Sequence, residues 1–140
     1  MKILEQYDAK ARKLGMIEAF CEVVAWEVKD LAFSPIMEVE EWEDVKAAAQ
    51  AIAEHFGALS FVETDLMSSD LVPDEAVKGK VVVLYYKKPE TLEKYLSLKA
   101  SVMAQEEEGS YTAEARKSAS IALRRLLSYS EHAINEHYTA

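Results

Sequence analysis

Apolar residues near the amino terminus recur at alternating steps of three and four: Ile3, Tyr7, Leu14, Ile17, Cys21, Val24, Val28 and Leu31, interrupted where Lys10 takes a stripe position. This spacing predicts a first helix over residues 3–33. It ends at Ser34-Pro35, because the residue before a proline is pushed out of the helical region. Leu4, Ala11, Phe20 and Val23 widen the stripe, so the helix should touch more than one neighbour. Gly15 inside it costs about 1 kcal/mol relative to alanine and is expected to mark a kink or a close helix crossing.

A second helical seam, Trp42, Val45, Ala49, Ile52 and Phe56, predicts a helix over residues 39–56. Glu40, Glu41, Glu43 and Asp44 suit the positive end of its dipole, and Gly57 suits a C-terminal cap. Residues 58–63, ALSFVE, read as a short strand, and residues 64–78 as a long polar connection. The run GKVVVLYYKK at 79–88 reads as a second strand. Pro89 starts a third helix, with Leu92, Leu96, Val102 and Met103 as its buried positions, and Gly109 stops it. Small and apolar residues including Ala115, Ala119, Leu123, Leu126 and Ile134 predict a fourth helix over residues 112–138.

The expected fold is α+β: a single domain over residues 1–140, with about four helices, two of them long, around a central two-stranded β-ribbon in the order α-α-β-β-α-α. Both alternating sets of the second strand are apolar, Val81, Val83 and Tyr85 on one side and Val82, Leu84 and Tyr86 on the other. A strand with one wet face alternates with polar residues, so this one expects cover on both faces. A two-stranded sheet is marginal alone in water. Either the long helices sandwich it, or a second copy adds its own ribbon across a two-fold axis, and a homodimer is the favoured reading.

Charge narrows the function classes. The chain has 16 Lys and Arg against 25 Asp and Glu, a net −9, which opposes the counterion release that drives nucleic-acid binding. Residues 1–70 carry 6 basic and 15 acidic side chains, whereas residues 71–140 carry 10 of each, so the excess lies in the first half. No secretory pattern and no apolar run of membrane-spanning length is visible, and a cytoplasmic protein is expected. One Asn and three Gln among many Glu and Lys fit a thermophilic source.

Candidate chemistry is sparse. His132 and Glu136, at i and i+4, share one side of a helix at a spacing able to chelate a divalent metal, but no further ligands are identifiable. His137 and His55 read as core-edge histidines. Glu18, Glu22, Glu27 and Asp30 lack the Glu-x-x-His units of di-iron bundles. The acids and hydroxyls of residues 63–75 do not match a calcium loop, although a connection this long raises the question of a role. Cys21, the lone cysteine, sits on the main stripe and reads as a buried hydrophobe. The glycines at 15, 57, 79 and 109 are isolated, which excludes the familiar phosphate loops. Lys78, Lys80, Lys87 and Lys88 flank the second strand, either guarding its ends or meeting an anion or an acidic surface.

The leading functional expectation is a non-enzymatic interaction or assembly module that self-associates, its partners a second copy or another protein, with no cofactor. The alternative is a small-ligand or metal-dependent enzyme with a site among the long helices, near His132, Glu136 and Tyr85. A DNA-binding regulator ranks third. The element order is similar in outline to winged-helix regulators, but Glu63, Asp65, Asp70, Asp74 and Glu75 populate the presumed wing, and only one helix lies where a helix-turn-helix pair belongs.

Overall fold

A computed structural model describes residues 2–140. After a 3-10 turn at Lys2–Leu4, the elements are α1 (Ala9–Ala25), β1 (Leu31–Phe33), α2 (Val39–Phe56), β2 (Leu59–Glu63), α3 (Asp74–Val77), β3 (Val82–Tyr86), α4 (Pro89–Glu108), α5 (Ala113–Leu126) and α6 (Glu131–Thr139). The strands form one antiparallel sheet in the order β1-β3-β2. The expected two-stranded ribbon with four helices is therefore corrected to a three-stranded sheet with six α-helices.

The first correction lies in residues 3–33. The helix begins only at Ala9, where the Asp8 carboxylate accepts a hydrogen bond from the Ala11 amide at 3.0 Å. It stops at Ala25. Beyond it the Val28 amide folds back onto the Val23 carbonyl at 2.9 Å, and Glu27 takes a left-handed φ of 61°. Val28 fits the helical stripe by spacing yet is 71% exposed. Leu31–Phe33 instead pairs with β3 in the register Leu31↔Tyr86, Ala32↔Tyr85, Phe33↔Leu84. Ser34 extends this edge: its amide donates to the Val83 carbonyl, and its hydroxyl accepts from the Val83 amide, both at 2.8 Å.

The second correction divides residues 112–138. Ser128 adopts a φ of 66°, the Tyr129 amide returns to the Arg124 carbonyl at 3.0 Å, and the Ser130 hydroxyl accepts from the Ala133 amide to start α6. Both missed breaks use the same turn, in which a left-handed residue lets the chain cap the helix it has just left. Neither residue is a glycine, so the usual punctuation is absent. Gly15 shows the converse: α1 runs straight through it, and a Cβ built there meets nothing within 4 Å, so it marks neither a break nor a close crossing. Gly57 and Gly109, with φ of 75° and 72°, do cap α2 and α4 as expected.

β3 is the central strand and is buried along its whole length. On one face, Val81, Val83 and Tyr85 pack with Ile17, Cys21 and Val24 of α1 and with Val45, Ala49 and Ala53 of α2. On the other, Val82, Leu84 and Tyr86 pack with Tyr95 and Val102 of α4 and with Ala119 and Leu123 of α5. The strand's two apolar faces thus receive the cover they require, and both layers come from the chain's own helices. Among the described residues, no helix is long and apolar enough to cross a membrane.

Candidate functional site

The residues singled out in the sequence do not converge. His132 Nε2 and Glu136 Oε1 lie 3.1 Å apart on α6, both largely exposed, and no described set of three His, Cys, Asp or Glu side chains gathers there or elsewhere. Tyr85, the third residue of the enzyme reading, is buried against α1 and α2 and stands apart from that pair. Burial pushes its hydroxyl above the ordinary tyrosine range. Cys21 is fully buried, and desolvation pushes its thiol up to about 12, which removes the thiolate needed of a nucleophile. Glu18, Glu22, Glu27 and Asp30 are exposed, as is His55, whose ring meets Phe56 edge to face.

The lysine cluster around β3 meets the acidic half of its own chain. Lys80 pairs with Glu38, Lys88 lies 3.1 Å from Glu27, and Lys87 donates to the Gly57 carbonyl at 3.2 Å. On the same acidic side, Lys13 reaches Glu41 at 2.6 Å and Lys10 reaches Asp44 at 2.7 Å. Two of these pairs, Lys80–Glu38 and Lys88–Glu27, join the second half of the chain to the acidic first half, whereas Lys10–Asp44 and Lys13–Glu41 lie within the first half.

Residues 64–78 form a docked segment, held by side chains that sequence reading did not connect. At its start, Glu63 is nearly buried, and its carboxylate accepts from Tyr95 Oη at 2.8 Å, from Lys99 Nζ at 3.0 Å and from the Asp65 amide at 2.8 Å. A buried carboxylate persists only when so satisfied. Further along, Arg116 donates to the Ser68 hydroxyl and the Ser69 carbonyl, Tyr111 Oη donates to the Ser68 carbonyl at 2.6 Å, and the Asp70 amide donates to Ser120 Oγ at 2.9 Å.

The last anchor joins three elements. Arg124, on α5 and 5% exposed, donates to the Asp70 carboxylate and to Tyr138 Oη, and lies 3.1 Å from His137 Nε2. Tyr138 Oη in turn donates to Asp70 at 2.8 Å. Burial works to raise the Asp70 pKa, but the hydrogen bonds from Arg124 and Tyr138 outweigh it and hold the carboxyl below its ordinary value. Tyr138 is pushed up to about 12 by burial and by its bond to Asp70. His137 is exposed and earns its place through this contact, not as the core-edge residue expected. Arg116, Ser120 and Arg124 recur every four residues, a polar stripe legible in the sequence as one face of α5.

A cleft of about 500 Å³ lies between this docked segment and α4, floored by Leu66, Met67 and Val102 and rimmed by charged residues including Asp65, Asp74, Glu75 and Lys78. No histidine or cysteine lines it, and Ser68, its hydroxyl-bearing neighbour of Asp74, has no imidazole to complete a nucleophile–base pair.

The remaining unusual surface is an edge of the sheet. The backbone groups of Val81 and Val83 point towards β1, so those of Val82, Leu84 and Tyr86 point towards β2, where they meet Glu63, Phe61 and Leu59. The alternate residues Ser60 and Val62 therefore turn their N–H and C=O groups away from the sheet. No described residue partners them. Leu59 and Val62 are 42% and 44% exposed along the same edge. Comparison with protein-family models, curated proteins and solved structures gave no match.

Proposed function

We propose that this chain is a non-enzymatic assembly module whose β2 edge pairs with the β2 edge of a second copy. The observation that supports it is the open edge: unpartnered backbone groups at Ser60 and Val62, beside half-exposed Leu59 and Val62, on a strand that carries no lysine, proline or bulge of its own. Proteins normally blunt such an edge, because its unpaired backbone is a template for another strand.

The edge is also self-complementary. An antiparallel pairing with a two-fold axis through Phe61 sets Ser60 against Val62 of the partner subunit, both with outward backbone groups. The same register brings the end of β2 beside Gly57 towards Asp65 of the partner subunit, both lying just outside the strand's own residues Leu59–Glu63. Lys87, whose ammonium rests on the Gly57 carbonyl, then faces that exposed carboxylate, twice over by symmetry. The product is a continuous six-stranded antiparallel sheet with helices on both faces.

Sedimentation equilibrium tests the proposal. The wild-type chain is expected at twice its 15.7 kDa mass. Val62→Lys, which places a charge on the edge without touching the β2–β3 ladder, is expected to weaken association by about tenfold or more, equivalent to about 1.4 kcal/mol. Its far-UV circular dichroism should stay unchanged. A wild-type chain that sediments as a monomer at every concentration, or a Val62→Lys dimer of undiminished strength, contradicts it.

A further inference from the structure

A second cavity, of about 350 Å³, opens where α1, β1, the docked segment and the C-terminal end of α5 meet. Its walls are Phe20, Phe33, Leu71, Val72 and Leu127, and two cationic side chains, Lys29 and Arg124, reach it. Their circumstances differ. Arg124 is already committed to Asp70 and Tyr138. Lys29 is half-buried, donates to the Leu127 carbonyl at 2.6 Å, and lies 5.8 Å from the centre of the Tyr129 ring. An ammonium has three donors, and only this one bond is made.

Lys29 has no carboxylate partner, in a chain with a large excess of carboxylates. Lys10, Lys13, Lys46, Lys80, Lys88 and Lys99 each reach an Asp or Glu within 4 Å. Lys29 reaches none among the described residues. Burial accordingly holds its pKa below the ordinary lysine value with no acid to offset it. A partly desolvated cation without a counter-ion, at the mouth of an apolar cavity, is the inverse image of a fatty or aromatic acid.

We propose that this cavity binds an apolar monocarboxylate, the carboxylate on Lys29 Nζ and the hydrocarbon against Phe20, Phe33, Leu71 and Val72. Its volume lies at the small end of ligand sites, whose usual makeup is an apolar wall with a few placed polar groups. The charge selects an acid over an alcohol or an amine of the same length. The walls select an apolar acid over acetate or inorganic phosphate, which offer charge alone. This site is separate from the β2 edge, on the other side of β3 from it in the sheet order, and does not depend on self-association.

Titration of the full chain with octanoate, octanol and acetate, followed by amide chemical shifts, tests the site. Octanoate is expected to shift Leu71, Val72 and Leu127 and to bind at least about tenfold more tightly than either control, a gap of about 1.4 kcal/mol. Lys29→Met, which keeps the length of the side chain and removes its charge, is expected to bring octanoate down to the affinity of octanol, and Lys29→Arg to restore most of the preference. Val72→Trp fills the cavity and is expected to abolish both shifts and binding while leaving Lys29 in place. Octanoate that leaves those amides unshifted in the wild-type chain overturns the proposal whether or not the variants fold. So does equal octanoate affinity in folded Lys29→Met.

Discussion

Gly15 is the simplest residue in the fold to account for, and it makes a sharp prediction. It sits inside a continuous helix with open space where a Cβ would stand, so its freedom serves no turn and no close approach. Alanine at such a site lowers the entropy of the unfolded chain and fits the helix better. Gly15→Ala should therefore stabilise the protein by about 0.5–1 kcal/mol in urea denaturation, with no change in the denaturant slope. A loss of stability would show that α1 meets a neighbour at this position. Glu63 is the opposite kind of residue. Its carboxylate is nearly withdrawn from water, and every partner it has is specified: a tyrosine, a lysine and an amide. Nothing in ALSFVE announced that its last residue would point inward, because the partners Tyr95 and Lys99 lie more than thirty positions away.

At the scale of elements, α5 binds the docked segment and α6 together through Arg124, and Asp70 is the acidic member of that junction. The Asp70 carboxyl titrates below its unfolded value, so its contribution is complete above about pH 4 and disappears as pH falls through the lower folded value. Asp70 is partly exposed, and the expected effect is correspondingly screened. Asp70→Asn should cost about 1 kcal/mol in denaturation at neutral pH, and the gap from wild type should close as pH falls below the ordinary carboxylate value of about 4. A gap that stays constant down the acid limb would mean that the charge plays no part. Elements were legible where their ends carry strong punctuation. Gly57, Pro89 and Gly109 bound α2 and α4, and both helices span the expected residues, although on α4 Leu96 and Met103, expected to be buried, are exposed and Tyr95 is buried instead. The helix boundaries at Glu27 and Ser128 were hidden, since ordinary residues take the left-handed turn there and the apolar spacing continues across the break. β1 was lost for the same reason: Leu31 satisfies a helical stripe and a strand equally, and only its pairing with Tyr86 decides.

At the scale of the molecule, β3 organises everything else, and this much followed from its composition. Six consecutive strand-forming residues with no polar alternation demand two covered faces, and α1 with α2 and α4 with α5 provide them. The route to the proposed interface was less visible, because which edge of the sheet stays open depends on β1 occupying the other one. Charge patterning likewise showed an acidic half and a lysine cluster without showing that Glu38 and Glu27 consume two of those lysines. The carboxylate cavity had no sequence signal at all, since Phe20, Phe33, Leu71 and Leu127 come from four separate segments. Amide hydrogen exchange at Ser60 and Val62 tests the proposed assembly most directly. Their N–H groups leave the sheet unpaired in one chain and become ladder bonds in a two-fold pair, so they should exchange fast in dilute solution and slow to the level of Phe61 as concentration rises. Fast exchange at both positions at every concentration, with Phe61 protected throughout, would contradict the edge-to-edge assembly.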